Sequence, residues 1–164
     1  LAGVTGFDVG EVTDEALIAM ASPQGLAAGV PGGGAVSTAA DLALFYQALL
    51  HNPGGLWDPQ WLHEGTAVVR NTFEVPIVGV PANRTIGLVV AGDDGLAARR
   101  GMGHGQPPRS FGHDGAGGQI AWADPDSGVS FVYLTNGHDR NLIRQWRRTV
   151  GVSSKAAAVA TSAP

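Results

Sequence analysis

The stretch Arg109-Ser-Phe-Gly-His-Asp-Gly-Ala-Gly-Gly-Gln-Ile-Ala-Trp-Ala-Asp-Pro-Asp-Ser-Gly-Val-Ser-Phe-Val-Tyr-Leu-Thr-Asn136 decides the fold. Residues 119–123 and 129–135 are two runs rich in β-branched and aromatic side chains. Asp124-Pro125-Asp126-Ser127-Gly128 separates them, with proline presetting φ and glycine supplying φ > 0, so the pattern predicts a β-hairpin. Ahead of the first strand stands His113-Asp114-Gly115-Ala116-Gly117-Gly118, a titratable side chain followed by main chain almost bare of side chains. Gly117 and Gly118 carry no Cβ and Ala116 only a methyl group, so this backbone can lie flush against a ligand or another element. Such a segment can offer main-chain N–H donors to a reacting carbonyl.

Upstream of the hairpin, Thr85-Ile-Gly-Leu-Val-Val-Ala91 predicts another strand, and residues 72–81, with two prolines, an edge strand or extended linker. Residues 92–108 contain Gly101-Met-Gly-His-Gly105 and two prolines and predict a long loop, which in a compact domain is functional or mobile. Ser37 or Thr38 as cap, Asp41 three residues after Thr38, and Leu42, Phe45 and Leu49 at i, i+3 and i+7 predict a helix over 38–51. His51-Asn-Pro-Gly-Gly55 ends it. Asp58-Pro59 opens a second helix to about residue 69. Asp139 is expected to cap a last helix to about residue 150, with Leu142, Ile143 and Trp146 on one face and residues 152–164 as a disordered tail. Residues 14–20 suit one or two helical turns, whereas the Gly-rich segments 1–10 and 25–34 read as irregular.

Hairpins in place of crossovers, with helices before and after, indicate an α+β fold: an antiparallel sheet flanked by helices. Three strands leave one sheet edge unpaired unless further strands complete it. The 164 residues suffice for a domain that buries roughly 70% of its unfolded surface. With 44% hydrophobic and 15% charged residues the chain is neither disordered nor a coiled coil. A net charge of −4 excludes an extended nucleic-acid surface. Arg144, Arg147 and Arg148 form the only local basic cluster and read as a solvated helix face. The absence of cysteine excludes disulfides and thiolate metal sites and leaves the compartment open. No apolar run approaches the ~20 residues of a membrane span.

Pro31-Gly-Gly-Gly-Ala-Val-Ser-Thr-Ala-Ala-Asp-Leu-Ala-Leu-Phe45, His113-Asp-Gly-Ala-Gly-Gly118 and Ala123-Asp-Pro-Asp-Ser-Gly-Val-Ser-Phe-Val-Tyr-Leu-Thr-Asn136, in that order, resemble the C-terminal part of the serine β-lactamase-related hydrolases: class C-like esterases, D-aminopeptidases and penicillin-binding-protein relatives. The resemblance covers about residues 25–148. It implies the same antiparallel sheet with helices on it, a second, helical lobe, and an active site between the two. Residues 1–57 are then expected to be the tail end of the helical lobe and 58–151 the C-terminal part of the sheet domain.

Such enzymes combine Ser-x-x-Lys, Tyr-x-Asn or Tyr-x-Ser, and Lys-Thr-Gly or His-x-Gly. Only the last is present. The sole lysine, Lys155, follows Val152 at the required spacing, and neither Tyr46 nor Tyr133 begins the second motif. In the family the two missing motifs lie upstream of the Pro-Gly-Gly-Gly loop. The chain is therefore expected to be the C-terminal portion of a serine hydrolase, inactive alone, with the preceding polypeptide as its partner and a small acyl ester or amide as substrate. The resemblance implies that His113 takes the lysine's position, that Gly115 lets the strand approach the nucleophile's helix, and that the Ala116 N–H is one of two oxyanion-hole donors. Asp114, Gly117 and His104 are candidate substrate-binding residues.

Where β-lactamases carry Lys-Thr, this chain has His-Asp. A histidine of ordinary pKa is mostly neutral at pH 7, Asp is anionic, and no carboxylate-binding cation is evident. The expected substrate is accordingly a neutral acyl ester processed through an acyl-enzyme; the alternatives are a β-lactamase or D-amino-acid peptidase of the same superfamily, or a non-catalytic scaffold. Strand alternation also allows Asp114 to point away from the cleft.

No cofactor or metal is expected. A metal site from His104, His113, Asp114, His138 and Asp139 would fit no ligand spacing. His51, His63 and His138 read as structural, as do Trp122, Phe131 and Tyr133 at strand spacing. Gly101-x-Gly-x-Gly lacks the following helix of a dinucleotide site, and Gly-x-Ser-x-Gly is absent.

Overall fold

In the computed structural model the described residues are 13–76, 78–137, 139 and 141–162. The expectation for residues 1–10 and the role of His138 fall outside them. The chain divides into two compact units, Leu1–Thr38 and Ala39–Pro164.

In the first unit, α1 spans Asp14–Met20 as expected, capped by Thr13, whose side chain accepts from the Ala16 amide. Pro23–Ala28 forms α2, where a loop was expected. Ser22 supplies the reason: its hydroxyl caps the Gly25 amide, Pro23 sits at the first helical position, and Gly29 closes the helix at φ 58°.

In the second unit the helix α3 spans Ala39–His51. The next, α4, spans Pro59–Thr66, shorter than expected, with the Asp58 carboxylate accepting from the Gln60 and Trp61 amides. Two short strands, β1 (Glu74–Val75) and β2 (Val80–Pro81), pair as a small hairpin. The main sheet is antiparallel in the order β3-β4-β5-β6, with β3 at Val89–Val90, β4 at Phe111–Gly115, β5 at Gln119–Ala123 and β6 at Ser130–Tyr133. The β5–β6 hairpin is the one read from the sequence. The strand expected over 85–91 shrinks to β3, because the Thr85 hydroxyl accepts from the Gly87 and Leu88 amides and folds residues 85–88 into a turn.

Pairing of Phe111 with Ala123 and of Ala121 with Val132 sets one face of the sheet. Phe111, Ala121 and Ala123 pack there under Tyr46 of α3, whose ring stacks on Phe111 with centroids 6.2 Å apart. On the opposite face Ile120 and Trp122 are covered by the last helix, α5, which spans Leu142–Ser162 and brings Ala157 and Ala160 against them. Trp122 is 0% exposed, and emptying such a site costs about 3–5 kcal/mol. Gly112 faces Trp122 across the ladder so tightly that a Cβ would lie 2.2 Å from the Ala121 carbonyl oxygen.

Two expectations for α5 are corrected. Asn141, not Asp139, caps it: its side-chain oxygen accepts from the Arg144 amide at 3.0 Å. The stretch expected as a disordered tail from 152 continues the helix to Ser162, because Ser153, Ala157 and Ala160 form a buried stripe on the sheet.

Candidate active site

The register places the His-x-Gly segment at the end of β4 beyond its pairing with β3, where Gly101 approaches the Asp114 side chain. Strand β3 pairs with β4 only at Gly112 and Phe111, so among the described residues no strand pairs with His113, Asp114 and Gly115 on that side. Helix α3 packs on β5 and β6. His113, Asp114, Gly115 and Ala116 are all exposed. The cross-strand partner of His113 is Ala121, on the α3 face, and that of Asp114 is Ile120, on the α5 face, so the register assigns the two residues to opposite faces, while at this strand end the Asp114 carboxylate stays 3.9 Å from His113 Nδ1.

Residues 116–118 turn β4 into β5. The Gly118 amide donates to the Gly115 carbonyl at 3.1 Å, and Gly117 and Gly118 hold φ of 85° and 95°, values that side chains disfavour. Gly117 is buried inside this turn. The amide of Ala116 has no partner among the described residues.

The His113 ring is engaged at both nitrogens. Its Nδ1 meets the Asp114 carbonyl oxygen, and Arg84 Nη1 lies 2.9 Å from its Nε2. The Asp114 carboxylate stands 3.9 Å from Nδ1. Arg84 corrects one sequence reading: a cation is present beside the motif. It comes from a bridge residue 29 positions away in the chain, paired through Val89 to β4, and nothing in the spacing announces it.

A cleft of about 210 Å³ lies beside Asp114, lined also by Val75, Val78, Val80, Arg84 and Arg99; His113, Gly115 and Ala116 are not among its lining residues. A larger hollow of about 440 Å³ lies at the far end of β4, around Phe111 and Pro108, and holds none of the candidate residues. His104 is not brought to the site. Gly103 lies against the main chain of Ser153 and Ser154, and the His104 amide donates to Ser154 Oγ at 2.8 Å, docking the loop on α5.

The strongest pKa displacements lie away from this edge. Burial pushes the Tyr46 phenol up to about 12, which with its place under Phe111 removes it as a proton acceptor. The Arg100 guanidinium holds Asp94 down at about 2, and Arg100 also donates to the Pro81 and Ala91 carbonyls, so this pair pins the loop over 92–101. The Arg144 guanidinium likewise holds Asp139 at about 2. Within the arginine cluster on α5, Arg144 and Arg147 are exposed as expected, Arg144 while paired with Asp139, whereas Arg148 buries Nε and Nη2 beside Gly118. Among the described residues no three His, Asp or Glu side chains come together as a metal site would require.

The profile of the Beta-lactamase family matches residues 3–151, and the chain belongs to that family. Among solved structures it is similar to a β-lactamase from Mycobacterium bovis, with 26% identity and a TM-score of 0.62 over 79% of this chain. The match covers 47% of that protein, so this chain spans about half its length. Comparison with the curated proteins gives no match.

Proposed function

We propose that the β4 edge is one wall of the active site of a serine hydrolase that works through an acyl-enzyme on neutral acyl esters. The observation that carries this reading is the exposed Ala116, whose amide has no partner among the described residues, directly after His113 and Gly115 at the end of β4. In this reading the nucleophilic serine and its Ser-x-x-Lys and Tyr-x-Asn motifs belong to polypeptide upstream. The serine hydroxyl gives its proton to a base of those upstream motifs, which later returns it to the leaving alcohol, as the serine oxygen bonds to the substrate carbonyl carbon and negative charge develops on the carbonyl oxygen. The Ala116 N–H and the serine's own N–H receive that charge. Collapse expels the alcohol, which takes up a proton, and water then hydrolyses the acyl-serine. Gly115 keeps the wall free of a side chain. His113 and Asp114 border the entering ester.

A neutral substrate is favoured by the charge balance at the edge. The Arg84 cation and the Asp114 anion flank an imidazole whose two nitrogens are both occupied, so the wall carries little net charge toward an incoming carboxylate. A second reading has one observation behind it. Arg84 is exposed and has donors beyond the one at His113, which a β-lactam or D-amino-acid peptide carboxylate could engage.

Turnover of a short p-nitrophenyl ester and of a chromogenic cephalosporin by the full-length protein separates the two. Faster ester hydrolysis supports the esterase, and faster cephalosporin hydrolysis the second reading. A fluorophosphonate probe is expected to label the longer polypeptide and not this 164-residue chain alone. Labelling of neither would leave a non-catalytic scaffold, and labelling of the short chain would overturn the placement of the nucleophile.

A further inference from the structure

We propose that Arg84 is a positioning residue for His113: it locks the imidazole in the Nδ1–H tautomer. This rests on the reading of His113 as an active-site residue. An arginine has five donors and no acceptor, so the ring nitrogen 2.9 Å from Arg84 Nη1 must present its lone pair. A carbonyl oxygen can only accept, so Nδ1, which faces that of Asp114, carries the hydrogen. The ring is thereby neutral and both its nitrogens are spent. It neither donates toward the Ala116 side nor stands in as a cation for the lysine of Lys-Thr-Gly.

The placement of Arg84 is built into the main chain. Its carbonyl oxygen accepts from the Arg70 and Asn71 amides at 2.7 and 3.0 Å, and its own amide donates to the Asn71 carbonyl at 3.0 Å. The residue before it, Asn83, adopts φ 53°, a conformation that costs a non-glycine residue energy, and is held there by Nδ2 donating to the Val90 carbonyl at 3.0 Å. The chain is thus turned and clamped on both sides of Arg84, and the side chain itself is exposed. Substituting it removes a contact of His113 without opening the core.

The test is the ring 15N spectrum of the chain labelled at histidine, with His113 assigned by loss of its signals in His113→Gln. The wild type is expected to show a protonated Nδ1 and an unprotonated Nε2. Arg84→Ala is expected to shift His113 toward a mixture of tautomers and Arg84→Lys, which keeps a donor, to restore most of the Nδ1–H form. A protonated Nε2 in the wild type, or ring shifts unmoved by Arg84→Ala, would overturn the proposal. In the full-length protein Arg84→Ala should lower kcat for the ester about 10- to 100-fold at nearly constant KM. If His113→Ala leaves ester turnover intact while the tautomer still depends on Arg84, the active-site reading fails and the pairing stands. If His113→Ala abolishes turnover and Arg84→Ala leaves the ring unchanged, only the pairing fails.

Discussion

The indole Nε1 of Trp122 donates to Ser153 Oγ at 3.0 Å, with both residues 0% exposed, so the one polar atom of the largest side chain in the sheet is satisfied by the helix that covers it. This bond ties β5 to the part of α5 that lies beyond the expected helix end. Ser153→Ala leaves the indole donor buried without a partner, a loss of about 1–3 kcal/mol. Urea denaturation should show a lower midpoint at unchanged slope, whereas an unchanged midpoint would mean that the bond contributes nothing.

Gly112 is required by its neighbours and not by its φ. An added Cβ would meet the Ala121 carbonyl oxygen at 2.2 Å and Trp122 Cβ at 2.6 Å, both on rigid parts of the sheet. Gly112→Ala is expected to destabilise by about 1–3 kcal/mol or more, since relief needs the β4–β5 ladder to separate. Thermal unfolding measures this directly, and a melting temperature equal to that of the wild type would contradict the register.

Asp94 and Arg100 predict the acid limb of stability. The folded pKa of Asp94, about 2, lies below the ordinary 3.8, so the folded state favours its ionised form. The stabilisation is complete above pH 3.8 and is lost as the pH falls from 3.8 toward about 2. Because the carboxylate is 38% exposed, salt should weaken the effect. Denaturation midpoints followed across that window should fall less steeply in Asp94→Asn than in the wild type, and parallel curves would contradict the assignment.

Tyr46 predicts the alkaline limb with the opposite sign. Its folded pKa, about 12, lies above the ordinary 10, so burial favours the neutral phenol. The associated stability is present below pH 10 and lost as the pH rises toward about 12. Ultraviolet titration should show a late phenolate component that disappears in Tyr46→Phe. A component completed near pH 10 would mean that the phenol is hydrated.

The sheet was legible where local pattern and tertiary context agree. The hairpin from Gln119 to Tyr133 follows from alternation around Asp124-Pro125, and the structure adds that the buried Asp124 carboxylate holds the turn by accepting from the Ser127 amide and hydroxyl. Helix α3 was equally plain, since Leu42 and Leu49 recur on the face that meets Phe111 and Ala121. The extent of α5 was not. Its last turns are rich in alanine and serine, and only contact with Ile120 and Trp122 marks Ala157 and Ala160 as core. The site divides in the same way. His113 to Ala116 could be found because the segment is contiguous, whereas Arg84 reaches it through two ladder pairings, Arg84 with Val89 and Val89 with Gly112, that no spacing rule encodes.

The most direct test of the account is kcat for p-nitrophenyl ester hydrolysis by the full-length protein carrying Ala116→Pro, a substitution that removes the proposed main-chain donor at an exposed turn. The account predicts a fall of about 10²- to 10³-fold with KM little changed and the folded near-ultraviolet spectrum retained. Wild-type turnover in that variant would contradict the assignment of the β4 edge as half of an oxyanion hole.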